Sequence, residues 1–136
     1  MIFLDLDGFK EINERFGHLV GNTVLKEVAE LLQDSIRETD VVTRFGGDEF
    51  TIVLPETPTE DAVPVARRIR ERIEDHVFSA VSEPVHISAS FGIATYPDHA
   101  PSKLDLVEAA DLAMYRAKSS DEQISIANTY PEEKNS

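Results

Sequence analysis

Apolar positions recur along the chain with two different periods, and the switches between them predict the elements. Ile2-Phe3-Leu4-Asp5-Leu6 is a short apolar run broken only by Asp5, as expected of a buried central strand that delivers a carboxylate near its end. Phe9, Ile12 and Phe16 then recur at helical spacing and stop at Gly17. Val24, Leu25, Val28, Ala29, Leu31, Leu32 and Ile36 share one face of a second, longer helix. Val41 to Phe45 and Glu49 to Leu54 are β-prone runs separated by Gly46-Gly47-Asp48, which predicts a hairpin whose glycines accept positive φ.

From Thr59 to Asp75 an Arg-rich amphipathic helix turns Ala62, Val63, Ala66, Ile69 and Ile73 inward, with Pro64 tolerated near its first turn. Val85 to Tyr96 alternates as a strand, with Ile87, Ala89, Phe91 and Ile93 on one face and small or polar residues on the other. Leu104 to Lys118 reads as a last helix burying Leu106, Val107, Ala110, Ala113, Met114 and Ala117, and Ile124-Ser125-Ile126 as an edge strand. The order β-α-α-β-β-α-β-α-β implies an α+β domain, a mainly antiparallel sheet flanked by helices with a crossover after the first strand.

Composition narrows the chemistry. With 136 residues, 41% of them hydrophobic, the chain suits one domain, here residues 1–127, with residues 128–136 as a disordered tail lacking apolar periodicity. Met1 runs straight into the first strand with no linker, as in a chain that starts inside a larger domain. The absence of cysteine excludes disulfides and thiolate metal sites and fits a reducing compartment. A net charge of −13 repels a polyanion and argues against nucleic acid. No run reaches the length of a membrane span and no signal peptide opens the chain, so a cytoplasmic location with no membrane segment within this chain is expected. An acidic protein still holds a triphosphate where a divalent cation and a lysine neutralise it locally.

That chemistry has two candidate carriers. Asp5 and Asp7 share a strand face next to a chain turn and Lys10, and Asp48 and Glu49 sit at the hairpin tip. Either pair alone is ordinarily just a solvated strand end or turn. If the first strand lies beside the hairpin, however, Asp5 and Asp48 converge, and hard oxygen ligands from neighbouring strands suit Mg²⁺ with room for phosphate oxygens. Gly46 and Gly47, lacking a Cβ, then admit a phosphate or sugar close to the backbone. His18 at a helix boundary reads as a local cap, His86 and His99 have no partner in the pattern, and Tyr115 reads as packing.

Three stretches, Phe3-Leu4-Asp5-Leu6-Asp7-Gly8-Phe9-Lys10-Glu11-Ile12-Asn13, Phe16-Gly17-His18-Leu19-Val20-Gly21 and Arg44-Phe45-Gly46-Gly47-Asp48-Glu49-Phe50, resemble the GGDEF family of diguanylate cyclases. Ile87-Ser88-Ala89-Ser90-Phe91-Gly92-Ile93-Ala94 and Ala110-Asp111-Leu112-Ala113-Met114-Tyr115-Arg116-Ala117-Lys118 extend the likeness to residue 126. The resemblance implies a palm-like fold, of nucleotidyl-cyclase or ferredoxin-like type, and a homodimer that condenses two GTP into cyclic di-GMP and two pyrophosphates. It implies Asp5, the carbonyl of Leu6 and Asp48 as ligands for Mg²⁺ or Mn²⁺, and Asp48 or Glu49 as the group that deprotonates the attacking hydroxyl. Lys10, the amides of Gly8 and Phe9, and Lys118 would hold phosphates, while Asn13 would bond the guanine edge. Arg37 and Asp40, with Arg68 from the next helix, resemble an inhibitory site for the product, although in isolation such an R-x-x-D pair is an ordinary surface ion pair.

The pattern is broken in places. The family has a carboxylate where this chain has Asn22, whose single carbonyl oxygen pairs less well with guanine. Asp121-Glu122-Gln123 replaces a segment bearing an arginine, which turns a cation into an anion, and an upstream helix with an Asp-x-Leu-Thr-Gly-Leu signature is missing. Three readings follow: a cyclase, a catalytically degenerate module that binds cyclic di-GMP or GTP and regulates a partner, or a remnant that folds poorly.

Overall fold

The computed structural model describes residues 1–79, 81, 83, 85–120 and 122–128; Asp121 and residues 129–136 of the predicted tail lie outside the described residues. The elements follow the predicted order: β1 (Ile2–Asp7), α1 (Phe9–Phe16), α2 (His18–Asp34), β2 (Val41–Arg44), β3 (Glu49–Val53), α3 (Thr59–Asp75), β4 (Ser88–Ile93), α4 (Lys103–Lys118) and β5 (Ile124–Ile126). The strands form one sheet in the order β2-β3-β1-β4-β5. All pairings are antiparallel except β4 with β5.

β1 is the central strand, and its period of two assigns each side chain to a face. Ile2, Leu4 and Leu6 are buried with Phe50, Ile52, Ala89, Phe91 and Ile93 in the larger core, against Phe9 and Ile12 of α1, Val24 and Val28 of α2, and Ala66 and Ile69 of α3. Phe3 points the other way, into a smaller core with Ala94, Ala110, Ala113 and Met114 under α4. Asp5 and Asp7 continue that second face beyond the apolar cover. Each fully buried Leu, Ile or Phe contributes roughly 1.5–3 kcal/mol, so the register of β1 is strongly held.

The predicted strand from Val85 to Tyr96 is shorter in the structure, and the reason is its partner. Asp7 pairs with Ser88 and Ile2 with Ile93, so the ladder ends where β1 ends. Pro64 lies in the second turn of α3 rather than the first. It is tolerated there because Pro64 and Glu60, whose carbonyl it cannot bond, are both exposed. His99 has a partner after all: its Nδ1 accepts the Thr95 amide at 2.9 Å and closes the loop after β4. Tyr115, expected in the core or half-buried, is 56% exposed on α4, and His18 is the exposed first residue of α2.

α4 starts at Ser102, whose Oγ accepts the Asp105 amide at 3.3 Å and donates to the Asp105 carboxylate at 3.0 Å. It lies directly on β4, because a Cβ at Gly92 would collide with the backbone carbonyl of Ala110 and the backbone amide of Met114. That close seat aims the C-terminal end of α4, with Lys118, at the acidic end of β1. Among the described residues no helix is long and apolar enough to cross a membrane. Replacing Gly92 with Ala should lower stability by about 2–4 kcal/mol, read as a fall in the thermal midpoint, because the obstacle is backbone that cannot rotate away.

Candidate active site

The site forms where β1, the β2–β3 turn and the end of α4 meet. Asp5 pairs with Glu49 across β1 and β3, and the Leu6 amide donates to the Asp48 carbonyl at 3.1 Å. The first strand therefore does lie beside the hairpin, and Asp5, Leu6, Asp48 and Glu49 come to one corner. Lys118 Nζ stands 3.5 Å from Asp5 Oδ2 and 2.8 Å from Asp7 Oδ1.

The turn is built differently from its predicted form. The glycines with positive φ are Gly8, at 82°, and Gly17, at 94°, whereas neither Gly46 nor Gly47 takes that conformation. Of the two hairpin glycines only Gly46 answers a need for space. A Cβ at Gly46 would come within 2.7 Å of Glu49 Oε1, so its absence lets the Glu49 carboxylate fold over the turn, while a Cβ at Gly47 would meet nothing within 4 Å. Arg44 holds the turn from outside, donating through Nε to the Gly46 carbonyl at 3.1 Å and through Nη2 to the Gly47 carbonyl at 2.8 Å. In the sequence the only signal for this role of Arg44 is a cation two residues before a glycine pair.

Charge in the corner is poorly screened. Burial first, then the negative charge of Asp48, raises the Asp5 carboxyl to about 7, against the opposing pull of Lys118; a hydrogen bond shared with Asp48 and the charge of Glu49 add to the rise. Burial likewise raises Glu49, helped by Asp111 and Asp48 and opposed by Lys118. Asp111, on α4, is itself raised by burial. Asp5 Oδ1 is buried with no hydrogen-bond partner. A divalent cation would answer both the orphaned oxygen and the excess negative charge, so the residues fit the predicted metal. Among the described residues no three His, Asp or Glu side chains already form a cage. Its remaining ligands would then be backbone oxygen, water or phosphate, as suits Mg²⁺.

The residues expected to hold phosphates and base occupy the neighbouring surface. Gly8 precedes α1 without a side-chain cap, leaving the first amides of the helix for an anion, and Lys10 is exposed on that first turn. The Asn13 amide lies against Gly21 where a Cβ would clash, which sets Asn13 beside the residue before Asn22. Asn22 borders a hollow of about 270 Å³ whose other walls include Lys26, Arg44 and Phe50. Glu122 is exposed between α4 and β5, its amide donating to Ser120 Oγ at 3.2 Å.

Arg37, Asp40 and Arg68 come together at a separate cavity of about 530 Å³. Arg37 Nη2 donates to Asp40 Oδ1 at 2.8 Å and to Thr57 Oγ1 at 2.9 Å. The hydrogen bonds from Arg37 outweigh burial and hold the Asp40 carboxyl below its ordinary value. Arg68 donates to the Ser35 carbonyl at 2.6 Å and Arg72 to Ser35 Oγ at 2.7 Å, so Ser35 at the end of α2 tethers two guanidinium groups to one wall. Arg72 and Ser35 carried no sequence signal beyond helical spacing.

Partly buried carboxylates brought together by β1 and the β2–β3 turn, beside a helix start without a side-chain cap, sit at one corner of an α+β domain. The profile described as "Diguanylate cyclase, GGDEF domain" matches residues 1–123, and the chain belongs to that GGDEF family. It is 41% identical over 119 residues to diguanylate cyclase TpbB of Pseudomonas aeruginosa, covering 87% of this chain and 27% of that protein. It is 40% identical over 118 residues to the bifunctional diguanylate cyclase/cyclic di-GMP phosphodiesterase MucR of the same species, covering 87% of this chain and 17% of the relative. The chain thus spans less than a third of either protein. The crystal structure of the GGDEF domain of TpbB (YfiN) superimposes with a TM-score of 0.87 at 38% identity, covering 93% of this chain and 80% of that one. The GGDEF domain of DgcB from Caulobacter crescentus, solved with c-di-GMP, gives 0.83 at 25% identity, covering 92% and 75%.

The Asp5 carboxyl gives a stability test in the absence of metal. Its folded-state value of about 7 exceeds the ordinary 3.8, so its contribution is full below that ordinary value and is lost as pH rises through the raised one. Asp5→Asn, which cannot ionise, should melt higher than the native chain above pH 7, by roughly 1–2 kcal/mol, with the gap shrinking as pH falls toward 4. Thermal melts in chelator across that range check it.

Proposed function

We propose that residues 1–127 act as a diguanylate cyclase domain that condenses two GTP into cyclic di-GMP and two pyrophosphates. The observation that carries this reading is the corner itself: Asp5 on β1 beside Asp48 in the turn into β3, one buried carboxylate oxygen unpaired, and Lys118 reaching in from α4. Asp5, the Leu6 carbonyl and Asp48 hold the cation, Mg²⁺ or Mn²⁺. When bound, it neutralises the triphosphate and the charge that develops on the leaving pyrophosphate.

The chain's own groups do the rest. The amides of Gly8 and Phe9 at the start of α1, with Lys10 and Lys118, orient the phosphates, and Gly47 leaves the backbone open to the nucleotide. Asn13 and Asn22 receive the guanine. Asn22 offers one acceptor where a carboxylate offers two, a loss of about 1–3 kcal/mol in base recognition that weakens binding without removing it. Glu49 accepts the proton of the attacking 3′-hydroxyl, because burial and Asp111 raise its carboxyl into a more basic range. The new bond forms between that oxygen and the α-phosphorus of the second GTP, and the bond to the β-phosphate oxygen breaks.

Both nucleotides must face each other, so turnover requires two copies of the chain. Arg37, Asp40 and Arg68 grip cyclic di-GMP at the cavity between α2 and α3, where the arginines suit its phosphates. Arg37 already lies on Asp40 through Nε and Nη2, which leaves Nη1 for a phosphate of the ligand.

Purified chain incubated with GTP and Mg²⁺ should form cyclic di-GMP at a rate that rises faster than linearly with protein concentration. Asp48→Ala should lower that rate by at least about 100-fold while keeping the fold. A folded native sample that makes no product overturns the cyclase reading. Arg37→Ala should weaken cyclic di-GMP binding by about tenfold in calorimetry, and unchanged affinity would remove Arg37 from the product site.

A further inference from the structure

Two aspartates project from the same face of β1, and the structure divides their tasks. Asp7 is fully engaged: its carboxylate accepts Ser90 Oγ at 3.0 Å, Ser88 Oγ at 3.4 Å and Lys118 Nζ at 2.8 Å. Asp5, two residues earlier, keeps a buried oxygen with no partner. The register sharpens the contrast. Ser90 is the cross-strand partner of Asp5, yet its hydroxyl goes diagonally to Asp7. Ser90 is buried, at 3% exposure, so that choice is not diluted by water.

We propose that Asp7, braced by Ser88 and Ser90, is a positioning residue that draws Lys118 away from Asp5, keeping Asp5 open to the cation and the lysine aimed at the phosphates. The inference rests on the reading of Asp5 as a metal ligand and Lys118 as a phosphate contact. A carboxylate with three donors has little capacity left for a metal, which separates Asp7 from Asp5 chemically. Lys118 has only these two carboxylates as ion-pair partners among the described residues. Without Asp7 its nearest counter-charge is Asp5, already 3.5 Å away. The freed ammonium would then settle where the cation should bind, an internal competitor for the site.

The test is a double-mutant cycle of Asp7→Asn and Lys118→Met, read by binding rather than turnover. Mn²⁺ affinity is measured from the electron paramagnetic resonance of the free ion, and Mg²⁺-GTP affinity by calorimetry. With Lys118 present, Asp7→Asn should weaken Mn²⁺ by about fivefold and Mg²⁺-GTP by about five- to tenfold. In the Lys118→Met background the same substitution should change Mn²⁺ affinity by less than about twofold. Ser90→Ala, which removes one brace and no charge, should shift Mn²⁺ affinity in the same direction by a smaller factor and stands in if Asp7→Asn melts at working temperature.

Equal losses in both backgrounds would mean that Asp7 merely supports the strand, and no loss in either would mean that it does nothing to Lys118; both overturn the proposal. A native chain that binds Mn²⁺ but not Mg²⁺-GTP would overturn the nucleotide reading instead. The Mn²⁺ cycle would then still decide whether Asp7 restrains the lysine.

Discussion

A carboxylate with one oxygen sealed from water has to find positive charge elsewhere, and the end of β1 is organised by that demand. Asp5 lies just past the point where α4 stops covering the sheet, with Asp48 and Glu49 close enough to raise its carboxyl further. The described fold supplies one cation, Lys118, and Asp7 claims the larger share of it. Burial alone would lower the Lys118 ammonium, but the hydrogen bond to Asp7 and the charges of Asp5 and Asp7 raise it. What is left is a net negative pocket built from oxygen, with one buried oxygen bare. A divalent ion answers that excess directly, with oxygen ligands already in place.

The surrounding architecture follows from presenting that pocket. The alternation along β1 puts three apolar residues into the large core and Phe3, Asp5 and Asp7 on the other face. A slip of one residue would bury the two aspartates under α1 and α2 and expose Leu4 and Leu6, so the same apolar energy that folds the sheet fixes the site. Small residues on the matching face of β4 have distinct reasons. Ser88 and Ser90 bond Asp7, and Gly92 clears the path of α4.

The element order, the sheet's antiparallel character and the edge position of β5 were legible because hydrophobic period carries that information directly. The convergence of Asp5 and Asp48 followed from supposing that the hairpin flanks β1, and the glycine pair and lysines drew the rest of the corner together. Other features were hidden for physical reasons. A sequence shows glycine's freedom but not whether space or φ is the need, so the conformational demand was assigned to Gly46 and Gly47 when it falls on Gly8 and Gly17. Diagonal contacts such as Ser90 to Asp7 depend on side-chain rotation and have no linear signature. The tethering of Arg68 and Arg72 by Ser35 joins helices far apart in sequence, and only the α2–α3 packing reveals it.

The seat of α4 on Gly92 makes the helix a ruler rather than a cushion. Where two elements touch through side chains, rotamers absorb small shifts and blur their effect at a distance. Here backbone meets backbone over β4, and the Ser102 cap stops the helix from unwinding at its far end. The spacing between β4 and the end of α4 is thereby set by main chain alone, and with it the distance at which the Lys118 charge stands from Asp5.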